Sequence, residues 1–256
     1  MLLHLPDQIC DAHMHFGTAI TGIDMTYSLK TLCRLLDKYH LSRAAISSLS
    51  QKSSILKLEN RTLLKYGKRN RALYPLLRTE PSNYLKRDVI ADVRKNLQNR
   101  LIFGIKVNAS IDKVPITSRI YNDVLSVLDD EEAALLLHCG RWECMSGWKY
   151  GVEIAGKYPH LEVILAHMGG NHPDHSYKAI RAAKKYPNVY LDTSQVMQPE
   201  VLRRALKTVG ASRILFGSDV PWGGFLQNIT GVVQAFDSEK TIRAVTHDNF
   251  CHLFKK

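Results

Sequence analysis

Several features that would assign a class of protein are missing from this 256-residue sequence. The longest apolar run covers only residues 133–137, far short of the ~20 residues that a membrane helix needs. The first residues interrupt their apolar stretch with His4, Pro6 and Asp7, so no secretory signal is expected. The cysteines number five and lack CxxC spacing. We therefore predict reduced thiols, a cytoplasmic location and no membrane partner.

Acidic residues are scarce relative to basic ones, with 24 Asp and Glu against 35 Lys and Arg, which gives a formal net charge of +11. Such a surplus raises the question of nucleic-acid binding. The densest basic cluster lies within residues 61–71, on the face opposite to the predicted strand ends that carry chemistry. We therefore predict no nucleic-acid partner. The predicted partner is a small-molecule substrate, and the basic residues near the strand ends are compatible with an anionic one. A homo-oligomer is left open.

Short aliphatic runs alternate with amphipathic stretches along the whole sequence. The runs lack strict apolar–polar alternation, as expected of strands that are buried on both faces of a parallel sheet. No glycine-rich phosphate-binding motif follows the first run, which disfavours an open doubly wound sheet. Eight strand–helix repeats predict an α/β fold, a single (β/α)8 or TIM barrel over residues 1–256. The predicted strands cover residues 8–12, 44–48, 73–77, 102–107, 134–138, 163–167, 189–192 and 214–217.

Side chains that can bind a metal stand where several of these strands end, at the end of a barrel that carries catalysis. His13 and His15 follow the first strand and, being two residues apart, leave an extended chain on the same face. His138 and His167 are the last residues of the fifth and sixth strands, and Asp219 follows the eighth. This set of nitrogen and oxygen donors is typical of a divalent metal, zinc first, with manganese or iron tolerated. The sequence therefore predicts one divalent metal ion that activates a water molecule.

The segments that carry these residues resemble the amidohydrolase superfamily, in particular its amidohydrolase-related branch of metal-dependent hydrolases and decarboxylases. The resemblance implies a distorted TIM barrel with one metal held by His13, His15, His138 and Asp219. It also implies that His167 polarises the substrate or helps to activate the water, and that Asp219 accepts the proton of that water. The matching segments, which follow the family's order, are DAHMHFG, GIKV, LLLHCG, YPHLEVILAHMGG, YPNVYLDTS, RILFGSDVPWGG and HDNFCHLF.

Further residues near the strand ends are candidates for substrate binding. Lys106 ends the fourth strand, where the resemblance favours contact with the substrate or support of a ligand over the bridging of two metals. The guanidinium of Arg141 suits a bidentate contact with a carboxylate, and it fits a structural salt bridge equally well. His172 lies in a polar loop, where a solvated side chain is the alternative. Trp142 and Trp222 are candidates for pocket walls, with ordinary packing as the alternative.

Together these residues predict a metal-dependent hydrolase that acts on a small carbonyl compound, an amide, lactone or ester, through a metal-activated water. The alternative is a metal-dependent, non-oxidative decarboxylase of a small aromatic or enoic acid, because the ligand set does not separate the two reactions. A TatD-like nuclease is disfavoured, since Lys106 and Asn108 occupy the region where that group carries an acidic metal ligand. A non-catalytic binding protein is disfavoured because the ligand set is intact.

Overall fold

The computed structural model describes residues 6–20, 24–140, 143–170 and 172–255, and its strands form one sheet. The strands in the described residues are β1 (Ile9–Ile20), β2 (Asp24–Tyr27), β3 (Leu41–Ser48), β4 (Leu73–Leu77), β5 (Gly104–Val107), β6 (Ala134–Leu137), β7 (Glu162–Leu165), β8 (Val189–Asp192) and β9 (Ile214–Leu215). β2 lies antiparallel at the edge beside β1. From β1 the sheet continues through β3 to β9 in chain order with parallel pairing.

The sheet closes through backbone hydrogen bonds between β1 and the segment that follows β9. The amide of Ala12 donates to the carbonyl of Phe216 at 2.8 Å, and the amide of Asp219 donates to the carbonyl of His13 at 2.7 Å. Because β1 therefore has partners on both sides, its parallel neighbours form a ring of eight strands. The fold is the distorted TIM barrel that the sequence predicts.

Helices connect the strands, and the first of them begins with the expected sequence signal. The hydroxyl of Ser28 accepts a hydrogen bond from the amide of Thr31 at 3.0 Å and caps the first helix. Among the described residues, no helix is long and apolar enough to cross a bilayer. The helices of the described residues are α1 (Leu29–Lys38), α2 (Ser53–Gly67), α3 (Arg87–Gln98), α4 (Ala109–Asp112), α5 (Asn122–Asp130), α6 (Glu143–Ser146), α7 (Trp148–Lys157), α8 (Pro173–Ala183), α9 (Pro199–Val209), α10 (Phe225–Ala235), α11 (Glu239–Arg243) and α12 (Asn249–Leu253), with a π-helical segment at Ala244–Asp248 and 3-10 turns at Pro81–Leu85, Arg119–Tyr121, Ala166–Gly169 and Ala211–Arg213.

Buried apolar residues form two clusters, an outer cluster between strands and helices and an inner cluster within the barrel. The inner cluster takes alternate strand residues such as Leu76 and Ile164. Strand residues that point to the opposite face of the sheet, such as Ile105, belong to the outer cluster. Phe250 and Phe254, at α12, join the inner cluster at the amino ends of the strands. This helix therefore closes the end of the barrel opposite to the predicted metal site.

Six of the eight predicted strands differ in their bounds from the observed ones, and three of these differences concern candidate ligands. The first strand is predicted to end at residue 12, whereas β1 continues to Ile20 because β2 supplies it with a hairpin partner. The sixth is predicted to include His167, whereas β7 ends at Leu165 and His167 lies in a 3-10 turn. β9 contains only two residues, so Asp219 lies four residues beyond its end. Each of these three differences changes how a candidate ligand is presented.

Candidate metal centre

An irregularity in β1 turns His13 and His15 toward the inside of the barrel. The pairing of β1 with β3 shifts register between Asp11 and Met14. Ala12 belongs to the inner cluster, whereas Met14, two residues later, belongs to the outer one. The inward and outward faces of the strand are thus exchanged at this point, which gives His13 and His15 the interior face.

Asp11 satisfies backbone groups around this irregularity. Its Oδ1 accepts hydrogen bonds from the amide of His13 at 2.9 Å and from the amide of Ser218 at 3.1 Å. Burial raises the pKa of Asp11 to about 7, because the charged carboxylate loses its contact with water. One carboxyl group thereby ties β1 to the segment that carries Asp219, and it fixes the distance between ligands from the two ends of the chain.

Three donor atoms converge where these two segments meet. The Nε2 atom of His13 lies 3.0 Å from Nε2 of His15 and 3.4 Å from Oδ1 of Asp219. The Nε2 atom of His15 lies 3.1 Å from the same carboxylate oxygen. A tetrahedral zinc ion with ligands at about 2.1 Å separates any two ligand atoms by about 3.4 Å. The three buried donors therefore fit a single small divalent ion.

The second ring nitrogen of each histidine is held by a hydrogen-bond partner. The Nδ1 atom of His13 lies 2.7 Å from Oδ2 of Asp192 and 3.2 Å from Oγ of Ser194. The Nδ1 atom of His15 lies 2.9 Å from Oγ of Ser47. When Nδ1 of His13 donates its proton to the Asp192 carboxylate, Nε2 keeps the lone pair that binds a metal. The partners thus fix the orientation and favour the ligating tautomer of His13.

The pKa values of these donors agree with metal binding. Burial lowers the pKa of both His13 and His15, so the two imidazoles are neutral at neutral pH. Burial alone would raise the pKa of Asp219, but His13 and the hydrogen bond from His15 hold it well below its usual range. The side-chain amide of Gln195 also donates to Oδ2 of Asp219. Neutral imidazoles beside an ionised carboxylate are the protonation states that a divalent metal requires.

Left-handed backbone presents two of the predicted residues, with a φ angle of 56° at His167 and 55° at Asp219. Such angles cost a non-glycine residue about 1–3 kcal/mol and cluster at functional sites. The amide of His167 donates to Oδ1 of Asp192 at 2.9 Å, and its Nδ1 lies 2.9 Å from Oγ of Ser194. The turn brings the His167 ring to 5.3 Å from the His13 ring, between centroids.

His138 directly follows β6 and reaches the same cluster of imidazoles. Its Nδ1 atom lies 3.3 Å from Nε2 of His167, and the two ring centroids are 5.1 Å apart. In this structure it borders the converging donors, and its role as a ligand stays a prediction. Among the described residues at this end of the barrel, two groups bring three donor atoms within 4.8 Å of one another. They are His13 with His15 and Asp219, and His13 with His167 and Asp192.

Two buried cations lie beside the donors, and their surroundings differ. Lys106 places its Nζ atom 2.9 Å from Nε2 of His13, and burial lowers its pKa to about 8. Arg78 donates to the carbonyl of Ser50 and lies 3.0 Å from Oδ1 of Asp112 in a salt bridge. The charge of Arg78 is therefore balanced by a neighbour. Lys106 is the cation that directly faces the converging donors.

A cavity of about 800 Å³ opens onto these residues. Three of the five predicted substrate-binding residues, Lys106, His172 and Trp222, line it. The last two lie toward solvent, since the His172 side chain is 67% exposed and Trp222 is 42% exposed. The other two predictions, Arg141 and Trp142, lie outside the described residues. The structure thus brings the described candidates for metal and substrate binding to one pocket.

Sequence reasoning gave no role to Asp192, whose carboxylate contacts several residues of the site. Its carboxylate meets the Nδ1 atom of His13 and the amides of His167 and Ser194. A signal for it exists, because Asp192 ends the predicted strand 189–192, and the rule that selected His138 selects it as well. No comparable signal distinguishes Ser47 from other serines in the sequence.

Comparison with known proteins places the chain in a family. The model of the amidohydrolase family matches residues 10–250, so the chain belongs to this family, as the resemblance implies. A curated relative, gamma-resorcylate decarboxylase of Polaromonas sp., is 31% identical over an alignment that covers 44% of this chain and 44% of that protein. The match thus spans less than half of the length of that relative.

Solved structures share the barrel over nearly the whole chain. The 2,6-dihydroxybenzoate decarboxylase from Rhizobium has a TM-score of 0.78 at 14% identity, with 98% of this chain and 99% of that chain covered. A dihydroxybenzoic acid decarboxylase from Polaromonas sp., with manganese and 2-nitroresorcinol bound, has a TM-score of 0.75 at 15% identity, covering 98% and 97%. A probable 2-pyrone-4,6-dicarboxylic acid hydrolase from Acinetobacter baumannii, with citric acid bound, has a TM-score of 0.72 at 14% identity, covering 97% and 99%. At these identities the likeness confirms the fold.

Proposed function

We propose that this chain is a metal-dependent enzyme that acts on a small carboxylic acid, and that its reaction is non-oxidative decarboxylation. The convergence of His13, His15 and Asp219, with donor atoms 3.0–3.4 Å apart, carries this proposal. We propose His138 as the fourth ligand, because it faces the same pocket. A divalent ion held by these residues, zinc or manganese, supplies a Lewis acid for a substrate oxygen.

The position of Lys106 favours a substrate with negative charge. One lone pair on Nε2 of His13 cannot accept a hydrogen bond from Lys106 and bind a metal at the same time. In the metal-bound enzyme the ammonium group therefore needs another partner, because a buried cation without one is costly. A substrate carboxylate in the adjoining cavity meets that need, and the contact is a strong, charge-assisted hydrogen bond.

The choice of decarboxylation over hydrolysis rests on the curated relative, whose name states the decarboxylation of gamma-resorcylate. Loss of carbon dioxide leaves the bonding electron pair on the substrate carbon, and that carbon must take up a proton. Asp219 and His167 both line the cavity, and each can carry a proton. We propose that His167 delivers this proton as the general acid, because Asp219 is held in its ionised form beside the histidines.

Hydrolysis is the second candidate, and the ionisation of Asp219 favours it. A carboxylate whose pKa lies well below its usual range is present as the base, ready to accept a proton from an attacking water. In this reaction His167 would donate a hydrogen bond to the oxyanion that forms on the substrate. The fold that the chain shares with a probable pyrone dicarboxylate hydrolase is compatible with this alternative.

One experiment separates the two reactions. The protein is stripped of metal with a chelator, reloaded with zinc or manganese, and incubated with 2,6-dihydroxybenzoate and with 2-pyrone-4,6-dicarboxylate. We expect metal-dependent release of carbon dioxide from the hydroxybenzoate together with the decarboxylated phenol. Opening of the pyrone ring without carbon dioxide would favour hydrolysis. Turnover that is indifferent to the chelator would contradict both reactions.

A further inference from the structure

A second cluster of metal-binding side chains lies at the opposite end of the barrel. The Sγ atoms of Cys10 and Cys251 and a ring nitrogen of His247 lie within 4.8 Å of one another. Cys10 is the second residue of β1, and His13 lies three residues further along, roughly 10 Å away at 3.3 Å per residue. The cluster therefore shares no residue with the centre built on His13.

Spacing along the chain and in space agrees with a shared metal. His247 and Cys251 are four residues apart in the helical segment that leads into α12, so their side chains lie on the same face. The Sγ atom of Cys251 lies 3.7 Å from Nε2 of His247. A tetrahedral zinc ion with Zn–S of about 2.3 Å and Zn–N of about 2.05 Å separates these two atoms by about 3.6 Å.

The surroundings of His247 are those of a metal ligand. Its Nδ1 atom lies 2.8 Å from Oδ1 of Asp248, which accepts the Nδ1 proton. The lone pair then lies on Nε2, the atom that faces Cys251. A carboxylate on the far nitrogen of a ligating histidine is a common arrangement in metal sites, because it fixes the ring and raises its basicity.

The two sulfurs have different polar neighbours, and that of Cys251 suits a thiolate. The guanidinium Nη1 of Arg43 donates to Sγ of Cys251 at 3.2 Å, which places positive charge against the sulfur. Thiolates are the form of cysteine that binds metals. The hydroxyl of Ser42 lies 3.2 Å from Sγ of Cys10 and donates to the carbonyl of Ile9. Each sulfur therefore has a polar neighbour beside the space that the three donors share.

We propose that Cys10, His247 and Cys251 form a second, structural metal site for a thiophilic divalent cation, zinc in the first place. Binding replaces the two thiol protons, which pass to solvent. A simple hydrogen bond between Cys251 and His247 would need neither Cys10 nor the Asp248 carboxylate on the other side of the imidazole. With a half-buried Cys251, solvent can supply the fourth ligand. The metal ties α12, which plugs the barrel, to the start of β1.

Cobalt separates this site from the catalytic one. The full-length, reduced, metal-free protein is titrated with Co²⁺, and absorption from thiolate-to-cobalt charge transfer is recorded. Among the described residues, the groups of three donors at the carboxyl ends offer only nitrogen and oxygen, so we assign this absorption to Cys10 and Cys251 and test the assignment with cysteine variants. We expect a band that saturates at one thiolate-bound cobalt per chain, and that persists in His13→Ala.

Two variants and a matched control define the ligands. Cys251→Ser and, separately, His247→Ala are expected to abolish the charge-transfer band or to weaken it at least tenfold. Cys33→Ser is the control, because Cys33 is also half-buried, accepts a hydrogen bond from Asn70 and is not part of the cluster. It should keep the band unchanged. Circular dichroism checks that each variant folds, and His247→Ala retains the test if Cys251→Ser does not fold.

The same samples decide against the proposal if it is wrong. Absence of the band in the reduced wild-type protein at two equivalents of cobalt would overturn it, as would a band that survives Cys251→Ser. Mass spectrometry of protein purified without reductant reports a Cys10–Cys251 disulfide as a loss of two hydrogen atoms. Such a disulfide, combined with a reduced protein that shows no cobalt–thiolate band, would replace the metal site by a redox pair.

Discussion

The pocket has a buried corner, formed by His13, His15 and Asp219, and an exposed rim, formed by His172 and Trp222. The two are built in different ways. In the corner, His13 is completely buried, and its two ring nitrogens meet Asp192 on one side and His15 on the other. At the rim, the His172 side chain is 67% exposed, and it lies 3.7 Å from the carboxylate of Asp174, which is 73% exposed. The corner is thus held by buried hydrogen bonds, whereas the rim is open to water.

The corner and the rim are therefore expected to determine different properties, metal binding and the choice of substrate. A buried, hydrogen-bonded corner keeps ligand atoms in place whatever substrate arrives, which is the requirement for a metal site. An exposed rim can change its side chains at little cost in stability, and rims of this kind usually determine the choice of substrate. We therefore expect substitutions in the corner to remove metal and activity together, and substitutions at the rim to alter substrate affinity alone.

The largest effect is expected from His13→Ala, which breaks the corner. It removes one of the converging donors and leaves Asp192 without its imidazole partner. Even outer partners of ligating histidines change metal affinity or activity by about 10–100-fold, so loss of the ligand should exceed about 100-fold. Metal content by mass spectrometry and turnover should fall together. His172→Ala, at the rim, is the matched control and should retain its metal; retention of metal by His13→Ala would contradict the assignment.

The second largest effect is expected from Asp192→Asn, which keeps the shape and removes the charge beside His13. Nδ1 of His13 then faces an amide that no longer favours the ligating tautomer, and metal affinity should fall by about 10–100-fold. Ser47→Ala removes the neutral partner of His15 and should cost less, because hydrogen bonds to charged groups are stronger. Competition with a chromogenic chelator gives both affinities. Equal losses in the two variants would contradict a special role for the carboxylate.

Much of the fold could be predicted because short aliphatic runs alternate with amphipathic stretches along the sequence. The predicted strands 73–77 and 189–192 coincide with β4 and β8. The extension of β1 could not be predicted, because its hydrogen-bond partner β2 is a feature of tertiary structure. The number of domains, the cytoplasmic location, the oligomeric state and the absence of nucleic-acid binding stay predictions from composition and pattern.

The residues of the site also differ in whether their direction could be predicted from the sequence. Lys106 and His138 continue the inward parity of β5 and β6, so a sequence reader can place them. The inward direction of His13 depends on the irregularity in β1, and that of Asp219 on a φ angle of 55°. Neither is specified by local residue preference, because most side chains avoid left-handed backbone. Their places after the predicted strands, together with the resemblance to a family, identified these residues, and tertiary contacts explain how they meet.

An effect confined to substrate binding, with the metal retained, is expected from Lys106→Met, which lies between the corner and the rim. The substitution removes the cation but keeps a side chain of similar length in a buried position. We expect metal content to be unchanged and KM for a carboxylate substrate to rise by roughly 10–100-fold, which corresponds to about 1.4–2.8 kcal/mol. A loss of metal instead would assign Lys106 to support of His13 rather than to the substrate.

The smallest effect is expected from Trp222→Ala at the rim. Trp222 lines the cavity and is 42% exposed, so its removal leaves no buried void and should change the free energy of unfolding by no more than about 0.5 kcal/mol. An aromatic contact with a flat substrate is worth about 0.5–1.5 kcal/mol, which predicts a rise in KM of roughly two- to twelve-fold with metal content and kcat unchanged. Steady-state kinetics on a hydroxybenzoate and on a small aliphatic carboxylate sharpen the test. The aromatic substrate should lose affinity and the aliphatic one should not, whereas equal losses would show that Trp222 shapes the pocket without stacking on its substrate.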